Sequence, residues 1–530
     1  MKLSIFTKLY KPDSTIFQFL IAATIAILTT GFLRIHYITY FPEPDGGMYT
    51  YLSQLIYSRL SNGQDIPSGS FLALYPMMTS WVFSLDISHY ITLRLIDLLV
   101  AVTASILFFN IILNESKSLL FTTVLVVSAL LAMNNIEIIL YGYRNSIWAS
   151  YVFLFAALLV WQSISISDTY KFYLIGALVS LGILFREPFL PFFILGSISI
   201  FIKYGSGPLL KYFLGSAFLG LTVLGLSLSL REGNLIDFIN VYANSGSLSA
   251  NIYEGKLYDA FITGGFKLIK LFWFGILFSV ISIYVTIKLY KSNKNLINPK
   301  HFLFWLSVAL VPILEPSLKF AAPYHFANCI PGIVGLIAVG WNYVSLTQSE
   351  KIKRNSILIT ILICIYGLYP TLSVSFSSKS IQQKNVLVNT YNAIWVNPFK
   401  DQERIKYSPI LLIADYITQI SNKTSTLAVS NYSALLFPLT GLLPPIHEFH
   451  NLAWVYSRLN KDKNKMIGEL IKHQPTIITT VTYNFPHFRE LGHDLVEIIE
   501  KTNLYDKVAD IESPQIAYGN IYRLKTFESE

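Results

Sequence analysis

The stretch Thr15-Ile-Phe-Gln-Phe-Leu-Ile-Ala-Ala-Thr-Ile-Ala-Ile-Leu-Thr-Thr-Gly-Phe-Leu33 carries no charge and approaches the roughly 20 apolar residues that a helix needs to cross a bilayer. Directly beyond it comes Phe41-Pro-Glu-Pro-Asp45-Gly-Gly-Met-Tyr49, an acidic turn bracketed by Pro and Gly. A chain has little reason to place carboxylates beside the membrane unless they meet something there, so Asp45 is the first candidate for chemistry. Lys2, Lys8 and Lys11 precede the apolar run as they would in a signal peptide. No small-x-small cleavage site follows it, and the segment is expected to stay as a transmembrane anchor.

The rest of the chain repeats this pattern. Of its 530 residues 53% are hydrophobic and only 13% charged, where a soluble domain would have roughly 25% charged residues. Membrane-length candidates fall at 15–33, 90–112, 118–135, 147–163, 171–185, 188–204, 210–229, 266–290, 301–314, 323–342 and 355–371. A further run at 69–85 is ambiguous, and the apolar runs stop near residue 371. The expected fold is a polytopic α-helical membrane domain, 1–371, of about eleven spans plus juxtamembrane helices, followed by a small exterior α/β domain, 372–530.

The basic loops choose between span counts. With the Lys-bearing N-terminus inside and 69–85 not crossing, Lys117, Lys171, Lys203, Lys211, Lys288 to Lys300 and Lys351 to Arg354 all fall on the inner side, as the positive-inside rule requires. Counting 69–85 as a span turns the last two groups outward. The accepted count puts the C-terminal domain outside the cell membrane. Asp45, Tyr141-Gly-Tyr-Arg144-Asn145, Arg186-Glu187-Pro188, Glu315 with Lys319, and Pro323-Tyr324-His325 then share the outer face. Arg144, Arg186 and Glu187 can also be read as snorkelling helix ends. Glu315 and His325 are harder to dismiss, because charge at the end of a short apolar span is costly unless paired or wet. Lys267 and Lys270 run against the inside bias and read either as two snorkelling lysines or as a phosphate contact for an anionic lipid.

Composition excludes other classes. The net charge of +9 is spread over span ends and the tail, the footprint of topology signals, and gives no support to nucleic-acid binding. Cys329 and Cys364 lie in apolar runs without metal or disulfide spacing. In the tail, 408–420 reads as a helix, Thr426 to Ser430 as a buried strand, Ser433 to Leu439 as a short helix stopped by Thr440-Gly441, Lys465 to Lys472 as a helix and Thr476 to Thr482 as a β-branched strand. That alternation favours a partly parallel sheet. No phosphate-binding Gly motif is present to suggest a nucleotide.

An outer-face carboxylate, arginines from other helix ends and a membrane cavity suit group transfer from a lipid phosphate. Arg or Lys stabilises the phosphate leaving group, and a carboxylate within reach of a hydroxyl can serve as general base. At this point the sequence resembles a known family. Glu43-Pro-Asp45-Gly-Gly-Met-Tyr-Thr-Tyr-Leu-Ser, Gly63-Gln-Asp-Ile-Pro67 and Leu74-Tyr-Pro76 resemble the first outer loop of GT-C superfamily glycosyltransferases, in the protein-mannosyltransferase and aminoarabinose-transferase-like group. Tyr143-Arg144-Asn145, Phe185-Arg-Glu-Pro188 and Tyr324-His-Phe-Ala-Asn-Cys-Ile-Pro331 fall where that group has later outer-face motifs.

The resemblance implies a membrane transferase that moves a sugar from a polyprenyl-phosphate donor to a glycan, lipid or protein acceptor, with Asp45 as base or acceptor-positioning acid. Glu43, Arg144, Arg186, Glu187, Lys267, Glu315, Lys319, Tyr324 and His325 are the expected substrate contacts. Asp45 is followed by Gly46 rather than a second acid, so Glu43, Asp65 or Glu315 must complete any acid pair; Asp65 also reads as plain turn chemistry. Oxygen ligands from Asp45 and Glu315 could hold Mg²⁺ or Mn²⁺ if they converge. The competing reading is a transporter or lipid flippase for envelope precursors. Against it stand the lack of a detectable internal repeat and the scarcity of mid-span charges, Asp97, with Arg94 three residues before it, being the main exception.

Overall fold

The computed structural model describes residues 15–39, 44–67, 74–135, 138, 145–163, 167–237, 240, 257–292, 298–314, 323–377, 385–395, 408–430, 433–483, 486–511 and 516–525. The chain forms two compact units, neither continuous in sequence. One comprises Met1–Tyr40, Leu95–Ser227 and Tyr253–Val386; the other comprises Phe41–Arg94, Leu228–Ile252 and Leu387–Glu530.

The first unit is all helix. Its apolar helices are α1 (Ile16–Ile35), α2 (His89–Ser116), α3 (Leu119–Met133), α4 (Asn145–Gln162), α5 (Asp168–Phe185), α6 (Glu187–Tyr204), α7 (Ser206–Ser229), α8 (Leu257–Ser292), α9 (Pro299–Ile313), α10 (His325–Thr347) and α11 (Glu350–Ser377). Seven of these, α1, α2, α6, α7, α8, α10 and α11, are long and apolar enough to cross a membrane. The shorter α3, α4, α5 and α9 coincide with the remaining candidate runs. Among its described residues, the ambiguous run 69–85 forms the short helix Leu74–Thr79 and a 3-10 turn, Ser80–Ser84.

Polar contacts fix the direction of each helix. At one end of the bundle, Arg34 near the close of α1 donates to Asp97 in the opening turns of α2 (2.5 Å) and to Asn134, just past α3 (2.7 Å), while its guanidinium lies 5.0 Å from the Trp148 ring at the start of α4. Asn134 donates to Thr30 (3.1 Å), which is bonded to Ser105 (2.8 Å). The neighbouring Asn135 donates to the Thr371 carbonyl of α11 (3.1 Å), and the Thr371 hydroxyl donates to the Leu271 carbonyl of α8 (3.2 Å). That carbonyl lies at a kink, where Phe272 leaves helical geometry with φ −139° and ψ 29°, so Thr371 supplies a partner where the ladder is interrupted.

The opposite end has its own set. Glu115 at the close of α2 bonds His301 of α9 (2.7 Å) and Gln162 of α4 (2.6 Å), and Lys300 reaches the Ile202 carbonyl of α6 (3.4 Å). The ends of α1 and α3 and the starts of α2 and α4 thus meet at the Arg34 end, and the ends of α2, α4 and α6 meet the start of α9 at the other.

Small residues let the helices approach. A methyl group on Gly176 of α5 would come 2.0 Å from the Tyr212 carbonyl oxygen of α7, and one on Gly215 would come 2.1 Å from the Tyr173 carbonyl oxygen. Backbones in contact leave room for a bond from the Ser216 hydroxyl to the Gly176 carbonyl (2.9 Å), the small-residue packing expected where apolar burial cannot drive association.

The second unit contains the predicted α/β tail. Strands β1 (Leu427–Val429), β2 (Ile477–Thr479), β3 (Thr482–Tyr483), β4 (Tyr505–Asp510), β5 (Ile516–Tyr518) and β6 (Asn520–Leu524) form a four-stranded sheet of order β1-β2-β6-β4 and a β3-β5 pair. β1 and β2 are parallel while β6 runs antiparallel to β2 and β4, so the sheet is partly parallel as expected. The helices Pro409–Ile420, Leu436–Thr440 and Lys463–His473 match the predicted ones, with Gly441 at φ 78° ending the second and Asp462 capping the third. Ala428, Ile478 and Tyr522 form the core of the sheet with Met466, Leu470, Leu495 and Ile498.

Candidate functional site

The candidate base belongs to the second unit. Asp45 is the second residue of the helix Pro44–Ser61, which Pro44 opens at no cost in backbone bonding. Its side chain, like Glu43 as a whole, lies outside the described residues. Asp65 lies exposed in the turn after this helix, beside Gly63 at φ 64°, which fits turn chemistry.

What sequence reasoning missed is how this helix is held. Tyr51, fully buried two turns past Asp45, packs on Phe437 with ring centres 4.6 Å apart and is hydrogen-bonded to His447 Nδ1 (3.0 Å). The His447 and His450 rings stack at 4.6 Å, and His450 Nδ1 bonds the His447 carbonyl (2.6 Å). Gln54 donates to the Leu442 carbonyl and Ser53 bonds Thr79. Gly47 touches the Leu435 backbone so closely that any side chain would collide with it. The tail thereby grips the helix that bears Asp45. Burial pushes the Tyr51 hydroxyl well above its ordinary range, reinforced by Glu448 and opposed by Arg59. Burial also lowers His450, against the opposing pull of its bond to His447 and of Glu448.

In the first unit, Arg186 is extended (φ −155°, ψ 109°) at the break between α5 and α6, and Glu187-Pro188-Phe189 form the opening 3-10 turn of α6. Phe189 packs on Tyr151 of α4, ring centres 5.5 Å apart, and Tyr151 donates to Asn328 Oδ1 (2.7 Å). The Asn328 amide bonds the carbonyl of buried His325. Next to His325, Phe326 faces Gly265 of α8, two residues before Lys267. Arg186, Glu187 and His325 therefore occupy helix ends, with Lys267 about three turns into α8. Arg144, Glu315 and Lys319 lie outside the described residues, as does the side chain of Tyr324. Among the described residues no three His, Cys, Asp or Glu side chains gather as a metal site, and the two expected oxygen ligands are not among those side chains.

Beside these residues α4, α5, α6, α9 and α10 line a partly open cleft. It follows α4 from Tyr151 to Trp161, about 15 Å of helix rise, and is lined almost wholly by apolar groups such as Leu154, Val179, Leu195 and Val308. Polar atoms enter at the Tyr151–Asn328 end, and Lys203 lies 5.4 Å from the Trp161 ring at the other. Tyr151 did not stand out in the sequence, since a Tyr in an apolar run reads as packing, and Asn328 entered only as part of the motif Tyr324 to Pro331. The sequence matches no family model and no curated protein.

Proposed function

We propose that this chain is an integral-membrane glycosyltransferase that moves a sugar from a polyprenyl-phosphate donor to a glycan, lipid or protein acceptor, with inversion, at the outer face of the cell membrane. The observation that carries the reading is the apolar cleft with Tyr151 and Asn328 at one end, where the Asn328 amide is bonded to the His325 carbonyl. In the reaction the acceptor hydroxyl attacks the anomeric carbon as the bond from that carbon to the phosphate oxygen breaks. The acceptor proton passes to the Asp45 carboxylate, and polyprenyl phosphate leaves with its charge balanced by Arg186, with His325 and Lys267 as further donors. Glu187 orients the sugar hydroxyls. Arg144, Glu43, Glu315, Lys319 and Tyr324 remain proposed contacts on the strength of the sequence, and a divalent ion held by Asp45 and Glu315 would add to the charge balance.

The test is transfer by the purified full chain in lipid nanodiscs. Asp45→Asn should lower transfer by about 10²–10⁴-fold, the usual worth of a general base, while leaving expression and folding intact. Near-normal transfer by that variant would remove Asp45 from the chemistry. Uptake of a solute into proteoliposomes with no sugar product would favour the transporter reading instead.

A further inference from the structure

We propose that the helix Val386–Trp395 is an interfacial anchor that lays the tail-bearing unit on the lipid surface. The helix leaves α11 after residues 378–385, so the chain that carries it has only just left an apolar helix of membrane length. At about 100° per residue its faces fall into three sectors. Thr390 and Ala393 form the buried sector. Leu387, Tyr391, Trp395 and Val388 follow one another around a second sector and are 68%, 62%, 62% and 56% exposed. Asn389 and Asn392, also exposed, make up the third.

An exposed arc of Leu, Val, Tyr and Trp with no charge is what a helix lying in the headgroup region presents, since indole and phenol rings favour that depth. A second element of the same unit points the same way. The amide of Ser88 donates to the Ile394 carbonyl (2.8 Å), tying to this helix the segment 74–88, in which Met78 and Trp81 are likewise exposed. That segment runs directly into the long apolar helix His89–Ser116. Both elements with exposed aromatic residues are thus tethered within a few residues of membrane-length helices, and this continuity selects lipid over a protein partner as occupant. The inference rests on membrane embedding alone and stands whatever reaction the chain performs.

The experiment places a nitroxide by cysteine substitution at Leu387, Tyr391, Asn389 or Asn392 in the full chain, reconstituted one molecule per disc in phosphatidylglycerol and phosphatidylethanolamine nanodiscs. Cys329 and Cys364 are buried and serve as the unlabelled background. Collision with oxygen should dominate over collision with a water-soluble nickel chelate at 387 and 391, and the order should reverse at 389 and 392. Equal nickel access at all four positions would overturn the proposal. So would labels at 387 and 391 shielded from both reagents, which would show protein covering the arc. Because four sites on one short helix are compared, a variant that fails to fold betrays itself by losing the contrast within the helix.

Discussion

Asp97→Asn keeps the shape of the side chain and removes its charge from the pair with Arg34, whose two members are only 14% and 5% exposed. Removing one partner of a buried pair costs about 3–5 kcal/mol, because the remaining charge is left in a low-dielectric site. Here the figure belongs at the low end, about 3 kcal/mol, since Arg34 keeps its bond to Asn134 and its seat over Trp148. Arg34→Met should cost a similar amount by stranding the carboxylate. The double variant Arg34→Met with Asp97→Asn strands no charge and should cost about 3 kcal/mol, no more than either single change, giving a coupling of about 3 kcal/mol. Unfolding of the purified full chain in mixed micelles, followed by tryptophan emission, measures the four corners of the cycle. Single losses that add within about 0.5 kcal/mol would refute the claim that this pair clamps α1 to α2.

Other consequences can be checked alongside. Gly176→Ala and Gly215→Ala each put a methyl group against a backbone carbonyl, and each should destabilise the first unit by about 1–3 kcal/mol or more, read as a lowered unfolding midpoint. The depressed pKa of His450 means that the unfolded tail takes up a proton before the folded one does. Stability should therefore be level above the unfolded value of 6.5 and fall as pH drops below it, and His450→Gln should flatten that slope in a pH series of thermal melts. Ser199→Phe narrows the cleft without touching its Tyr151–Asn328 end, so polyprenyl phosphate recovered with the purified protein, measured by lipid mass spectrometry, should fall while the melting temperature moves little.

How much of this was legible in the sequence depended on how local the signal was. The eleven candidate apolar runs coincide with helices, seven of them long and apolar enough to cross a membrane. The tail's helices and strands followed from caps such as Asp462 and Gly441 and from β-branched runs. The grip of the tail on the helix Pro44–Ser61 was not legible, because Tyr51 and His447 are far apart in sequence and each reads alone as an ordinary aromatic residue. Arg34 escaped notice because one arginine after an apolar run reads as a topology signal, and only the fold shows it buried. The same holds for Tyr151, whose meaning, like that of Asn328, comes from the cleft they line.

The proposed chemistry stands or falls on the lipid-linked sugars and envelope glycans of cells that lack this chain, compared by mass spectrometry with cells that carry it and with cells carrying Asp45→Asn. One polyprenyl-phosphate sugar should accumulate, and one glycan, lipid or protein should lose that same sugar, in both the deletion and the Asp45→Asn cells. Unchanged donor and acceptor profiles in the deletion cells would contradict glycosyl transfer altogether.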